Sequence, residues 1–232
     1  MSKVYYAIGD IHGEMERLLA LHKSIAEYHK VFHTGQDQVR IHLGDYVDRG
    51  PDSFSVISYV MNLEKHAPFQ VINLKGNHES MMRDAYARKR LGAMGTWIDN
   101  GGDATIESYK KHHHDRPPTS HLDWLENLPT LYVADEQDLV FVHAGIDPDN
   151  FPNEPDNVRL WTRTENFFDT DLWINPRLDQ TCVIHGHTPT RTNEPDVTKD
   201  GRRINIDTGA CYDGKLTAVI LVSGEKPQFI HA

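Results

Sequence analysis

KVYYAIGDIHG, running from Lys3 to Gly13, sets the reading of this chain. Residues 3–8 are mostly β-branched, aromatic or small and apolar, the mark of a buried strand. The run ends in Gly9-Asp10-Ile11-His12-Gly13, and residues 14–31 then carry Met15, Leu18, Leu19, Leu21, Ile25 and Val31 at mostly helical spacing. The same order returns twice. A strand over Val39–Leu43 runs into Gly44-Asp45-Tyr46-Val47-Asp48-Arg49-Gly50 and a helix over 52–65. A strand over Phe69–Leu74 runs into Gly76-Asn77-His78-Glu79 and a helix over 78–90. Strand, polar loop, helix is the order of βαβ units in an α/β fold. Ligands of such sheets bind beyond the carboxyl ends of the strands, where all three loops sit.

Further along, 91–128 carries no strand signal. Trp97, Asn100-Gly101-Gly102 and Ile106 to Tyr109 read as short helices joined by turns, an insertion near the mouth of the site, with His112-His113-His114 in an exposed loop. Strands are expected over 130–134, 139–143, 181–185, 203–207 and 216–222, around a Pro/Asn/Asp-rich loop at 147–159. No repeat or linker interrupts the pattern, so the expectation is one domain over 1–232.

Composition narrows the function classes. The 232 residues are 38 % hydrophobic, enough for a sizeable core. A net charge of -10 argues against a nucleic-acid or acidic-membrane partner. No apolar run approaches the roughly 18 residues that span a bilayer. A strand-like segment starts at Lys3, which leaves no room for a signal peptide. Two cysteines, Cys182 and Cys211, exclude a disulfide framework, and a cytoplasmic setting is expected. Nothing speaks to the oligomeric state.

The motif loops concentrate metal-binding and phosphate-binding chemistry. Asp10 and His12 fall on one side of an extended chain, between glycines that admit a close backbone approach. A local Asp–His hydrogen bond is the plainer alternative for that pair alone. Asp45 shares the Gly-Asp setting of Asp10, which favours it over Asp48 as a ligand, and Arg49 has the fork to hold two phosphate oxygens. Asn77 opens a helix, where it serves as an N-cap or offers a neutral carbonyl, with His78 beside it as a proton donor and Glu79 favourable to the helix dipole. His143 closes a strand before Ala144-Gly145. His185 and His187 follow another in Ile184-His185-Gly186-His187-Thr188, and the flanking Gly186 and Thr188 favour His187. Cys211 reads as a small buried thiol, and Met15, Met61, Met81 and Met82 as core.

Together, GDIHG, GDYVDRG, GNHE, HAG and HGHTP resemble the metallophosphoesterase superfamily, in its phosphoprotein phosphatase branch. The resemblance spans about residues 4–212 and is closest to compact bacterial and lambda-phage type Ser/Thr phosphatases and the related dinucleoside tetraphosphatases. It implies a calcineurin-like β-sandwich flanked by α-helices and two divalent ions, Mn²⁺ first, with Fe or Zn²⁺ as alternatives. Asp10 and His12 would hold one ion, Asp45 would bridge both, and Asn77, His143 and His187 would hold the second. His78 would be the general acid, oriented by Asp48, and Arg49 would bind phosphate. A second phosphate-binding arginine is expected after the fourth motif, where Arg163 fits and Arg159 is the weaker candidate. Glu14 stands where the compact bacterial members often carry Cys, which loosens assignment to a subfamily.

The expected reaction is attack of a metal-activated hydroxide on phosphorus, with His78 protonating the leaving oxygen. Phosphoserine or phosphothreonine in proteins is the first substrate reading. The alternative is a bis(5'-nucleosyl)-tetraphosphatase with the same site. Asp48 tilts the reading toward the first, because symmetrical tetraphosphatases tend to replace that aspartate. A non-catalytic metal-stabilised binding protein is the third reading, and it requires a broken ligand or acid position that the sequence does not have.

Overall fold

Alternation within the strands decides how the layers stack. The computed structural model describes residues 3–87, 91–134 and 138–232. Two five-stranded mixed sheets lie face to face. The first has the order β10-β9-β1-β2-β3, built from β1 (Lys3–Ile8), β2 (Asp37–His42), β3 (Gln70–Asn73), β9 (Thr217–Val222) and β10 (Gln228–His231). The second has the order β4-β5-β6-β8-β7, built from β4 (Leu131–Ala134), β5 (Leu139–Val142), β6 (Cys182–His185), β7 (Asp196–Val197) and β8 (Arg203–Asn205). β1, β2 and β3 run parallel, as do β5, β6 and β8; β9 pairs antiparallel with β1 and with β10, β4 with β5, and β7 with β8.

Side chains two residues apart share a face. Tyr5 and Ala7 of β1, Val39 and Ile41 of β2, and Leu139 and Phe141 of β5 therefore meet in one core between the sheets. Val4, Tyr6 and Ile8 point the other way, onto α1 (Met15–Phe32), α2 (Ser53–His66) and α3 (Asn77–Ala87). Val140, Val142 and Val183 face Phe151, Phe167, Trp173 and Leu178, from the irregular segment that covers the second sheet. It includes α7 (Asp156–Trp161), α8 (Glu165–Phe168) and two short 3₁₀ turns. The central strands are covered on both faces, which is why they read as near-continuous apolar runs.

The expected strands and helices form, with ends shifted by one to a few residues. Residues 88–90 of the helix expected over 78–90 lie outside the described residues. Two short strands, β7 and β10, add to those expected. The insertion is helical: α4 (Ala93–Trp97), a wound turn over Ile98–Gly102, α5 (Asp103–Lys111) and α6 (Thr119–Asn127). It docks on α2 through Phe54, whose ring stacks on His112 at 4.3 Å and meets Tyr109 edge-on at 5.4 Å. His112 also reaches Asp52 Oδ1 at 3.1 Å, so the first of the three histidines is part of a packed contact rather than an exposed loop.

Candidate metal centre

All five motif loops leave the carboxyl ends of parallel strands at one end of the sandwich: β1, β2 and β3 from one sheet, β5 and β6 from the other. The backbone there is held in costly conformations. Nine non-glycine residues among those described have positive φ, and five of them are His12 (45°), Asp45 (51°), Asp48 (74°), Arg49 (69°) and His187 (68°). Left-handed backbone costs such residues of order 1–3 kcal/mol each, and it persists only where the surroundings impose it.

Glu79 does much of the imposing. Its Oε2 accepts the backbone N–H of Asp45 and of Gly76, each at 2.8 Å, and its Oε1 accepts Tyr46 N–H at 2.8 Å and Val47 N–H at 3.4 Å. One buried carboxylate thus ties the second motif loop to the third. Burial pushes this carboxyl up to about 7, against the downward pull of those N–H donors. Gly76 and Gly186 are needed for close approach, since a Cβ on the first would fall on the Asp45 carboxylate and on the second on that of Asp10.

Histidine tautomers can be read from second contacts. His143 Nδ1 donates to Leu43 O at 3.0 Å, so its Nε2 presents a lone pair. That nitrogen lies 2.9 Å from Asn77 Oδ1, 3.2 Å from His187 Nδ1 and 3.4 Å from Asp45 Oδ1. Asn77 Oδ1 and His187 Nδ1 are themselves 2.9 Å apart. A neutral His187 has one proton for this group of four acceptors, and its own Nε2 is buried with no hydrogen-bond partner. A cation among them satisfies all four at once.

A second group shares Asp45. His12 Nδ1 donates to Val47 O at 2.8 Å, which leaves Nε2 facing Asp45 Oδ2 at 3.5 Å. The ligand atoms of His12, Asp45 and His78 fall within 4.8 Å of one another, as do those of Asp45, His143 and His187; all five residues are buried. The chain therefore carries two His/Asp groups that can hold metal ions, joined at Asp45. Burial first, then the neighbouring carboxylates, push Asp10 and Asp45 well above the usual carboxylate range; Asp207 acts most on Asp10 and Glu79 on Asp45. Burial likewise holds His12, His143 and His187 below the usual imidazole range, His143 at about 3, so their ring nitrogens are free to ligate. The donors are all oxygen and nitrogen, the set that suits Mn²⁺, Fe or Zn²⁺.

Asp10 is placed differently from its motif partner. Its two oxygens accept the His187 backbone N–H at 3.1 and 3.0 Å, and His78 stands with His12 and Asp45 where the sequence pattern points to Asp10. His78 has a second tie: Nδ1 lies 2.7 Å from Asp48 Oδ2, while Nε2 faces Asp45 Oδ2 at 4.0 Å. Asp48 also accepts Trp97 Nε1–H at 2.9 and 2.8 Å and the Thr105 hydroxyl at 2.7 Å. Both donors come from the insertion. Burial pushes the Asp48 carboxyl up to about 7, opposed by these donors, and pushes His78 down to about 3. With Nδ1 engaged by Asp48, Nε2 is the ring nitrogen left to face the site, and it can give a proton only when the ring is charged.

Arg49 Nη1 sits 2.7 Å from His12 Nε2, and its guanidinium lies over the Tyr212 ring at 5.3 Å. Arg163 is exposed and reaches only as far as His187 O, at 3.5 Å. Arg159 is committed elsewhere, to Glu154 at 3.0 Å and Pro152 O at 2.8 Å, which removes it as a phosphate ligand. His185 is committed too, accepting Arg203 Nη1 at 3.0 Å. Four residues of the site do not stand out in the sequence as parts of it: Glu79, Trp97, Thr105 and Asp207. Two carry a signal: Glu79 belongs to GNHE, though it reads there as a helix-dipole residue, and Asp207 is a carboxylate closing an expected strand.

Comparison with known proteins agrees with this geometry. The family profile described as "Calcineurin-like phosphoesterase" matches residues 4–221. A relative from Anoxybacillus flavithermus, named bis(5'-nucleosyl)-tetraphosphatase PrpE [asymmetrical], is 28 % identical, over 93 % of this chain and 89 % of its own. A Bacillus cereus relative of the same name is 29 % identical over the same shares. The cold-active protein-tyrosine phosphatase of a Shewanella species shares the fold, with a TM-score of 0.65 at 18 % identity over 98 % of this chain and 80 % of its own. With a profile match over nearly all of its length, the chain belongs to the calcineurin-like phosphoesterase family.

Proposed function

We propose that this phosphoesterase hydrolyses a dinucleoside polyphosphate, cleaving it asymmetrically to a nucleoside triphosphate and a nucleoside monophosphate. The observation that carries hydrolysis at this site is the Asp45 carboxylate set between two histidine groups, 3.5 Å from His12 and 3.4 Å from His143. The substrate class rests on the relatives' names, which favour the anhydride over the phosphoprotein placed first by sequence. Asp48 does not oppose it, since that contrast was with symmetrical enzymes.

Asp10, His12 and Asp45 would hold one ion, and Asp45, Asn77, His143 and His187 the other, with Mn²⁺ as our assignment. Bound there, the ions supply Lewis acidity to the phosphoryl oxygens and acidify a water. Arg49 and Arg163 bind the remaining phosphate oxygens; a guanidinium matches them two at a time. His78 gives its Nε2 proton to the departing oxygen, and Asp48 holds the ring in place from Nδ1. We keep a cytoplasmic setting, with both thiols free.

Phosphoserine hydrolysis remains the second reading, favoured by the Asp48–His78 pair: a serine alkoxide leaves poorly without a proton, whereas a nucleotide phosphate needs one less. The test compares kcat/KM for diadenosine tetraphosphate and a phosphoserine peptide with Mn²⁺ present, with products separated by chromatography. ATP plus AMP at the higher kcat/KM is expected. Efficient peptide turnover beside an inert dinucleotide would reverse the order.

A further inference from the structure

Of the four tryptophans, Trp97 and Trp173 are in the cores and Trp124 packs against one, whereas Trp161 is 46 % exposed. It ends α7, outside every core cluster, and meets His187 edge-on at 6.0 Å, with rings at 82°. A T-shaped contact covers at most one of the two indole faces. Tyr212 is likewise 52 % exposed and outside the cores, with the Arg49 guanidinium over its ring at 5.3 Å. A row of contacts joins the two. Tyr212 touches Arg49, Arg49 touches His12, His12 faces Asp45, Asp45 faces His143, and His143 meets His187 beside Trp161. Followed contact by contact, the order is aromatic, cation, two candidate ion groups, aromatic. What sets these two exposed aromatics apart is their contacts: Trp161 meets His187 of one candidate ion group, and Tyr212 meets Arg49, which reaches His12 of the other.

Resting on the proposed function, we infer that Trp161 and Tyr212 are nucleobase platforms, one for each base of a dinucleoside polyphosphate, with the phosphate chain lying across the metal centre between them. Base–aromatic stacking tolerates any base, because each has a π-face. The pair therefore selects for two flat heterocycles without choosing among them. A phosphopeptide presents no such pair.

The experiment has two arms, both on the Mn²⁺-loaded protein. In the first, AMP quenches the fluorescence of exposed Trp161, inorganic phosphate at the same concentration does not, and Trp161→Leu abolishes the AMP quench. In the second, Trp161→Leu and Tyr212→Leu each raise KM for diadenosine tetraphosphate relative to KM for inorganic tripolyphosphate by about 5- to 150-fold, the range for losing one stacked base. Trp161→Phe restores most of the loss. No AMP quench, or dinucleotide turnover with the KM ratio unchanged in both variants, overturns the platforms. An AMP quench lost in Trp161→Leu without dinucleotide turnover in the parent protein sinks the proposed function and leaves the Trp161 platform standing.

Discussion

Trp97→Phe removes one N–H and little else. The indole nitrogen lies 2.9 and 2.8 Å from the two Asp48 oxygens, and the ring is fully buried, so phenylalanine keeps an aromatic in place while the carboxylate loses a donor. A hydrogen bond to a charged group contributes about 1.5–3 kcal/mol. Asp48 retains the Thr105 hydroxyl and His78 Nδ1, both at 2.7 Å. If the whole of the lost bond appeared in the barrier, turnover would fall about 10- to 150-fold; with two of three donors left, roughly 10-fold is expected. The loss should depend on the leaving group, because Asp48 acts only through the proton that His78 delivers. It should be full on an alkyl phosphate, small on p-nitrophenyl phosphate, whose phenolate departs readily, and intermediate on a dinucleotide. The assay is kcat/KM across a series of alkyl and aryl phosphates, with thermal unfolding measured alongside. Equal losses across the series would refute this role and reduce Trp97 to a packing residue.

His78→Asn should keep two ions per chain by elemental analysis and lose about 10²–10⁴-fold in turnover of alkyl esters; loss of an ion would instead make His78 a ligand, as its place beside His12 and Asp45 allows. Glu79→Gln turns an NH₂ toward backbone N–H groups of the second and third motif loops, and a loss of about 2 kcal/mol is expected from the broken charge-assisted bonds, read as a fall in Tm; an unchanged Tm refutes the brace. His22 and His42 form a buried chain, Arg40 Nη1 to His22 Nδ1 at 2.8 Å, His22 Nε2 to His42 Nε2 at 3.0 Å, His42 Nδ1 to Asn73 Oδ1 at 2.7 Å, and Asn73 Nδ2 to Glu64 at 3.2 Å. Burial first, then its charged neighbours, lower His22 to about 2; burial, then Arg40 against the Asn73 bond, lowers His42 to about 4. The unfolded chain binds these protons near pH 6.5 and the folded one does not, so stability is complete above about pH 6.5 and falls as pH drops toward 4, by up to about 1.4 kcal/mol per pH unit per histidine. Urea titrations of His22→Gln/His42→Gln should show a flatter slope in that window, and an unaltered slope contradicts the assignment.

Local pattern carried the fold, and distance in sequence hid the bracing. The period-2 alternation of Tyr5, Ala7, Val39 and Ile41 against Val4, Tyr6 and Ile8 is a property of neighbouring residues, so the central strands could be read directly. β10 and the two-residue β7 are too short, and too exposed at the sheet edges, to produce such a pattern. At the site, glycine-bounded loops marked Asp45, Asn77, His143 and His187 because their chemistry and setting are local. Glu79 looked like a helix-dipole residue, since nothing near it in sequence shows that its carboxylate ties Asp45, 34 residues earlier. Trp97 and Thr105 sit 49 and 57 residues from Asp48, in a stretch that reads only as an insertion. The position of Asp10 under the His187 backbone spans 177 residues, beyond what motif spacing encodes.

Anomalous diffraction at the manganese edge, from crystals grown with Mn²⁺, would locate the ions themselves. Two peaks should appear about 3.5–4 Å apart, both within bonding distance of the Asp45 carboxylate, one beside His12 and the other beside His143 and His187. A single peak, or two that do not share Asp45, contradicts the dinuclear centre and the chemistry built on it.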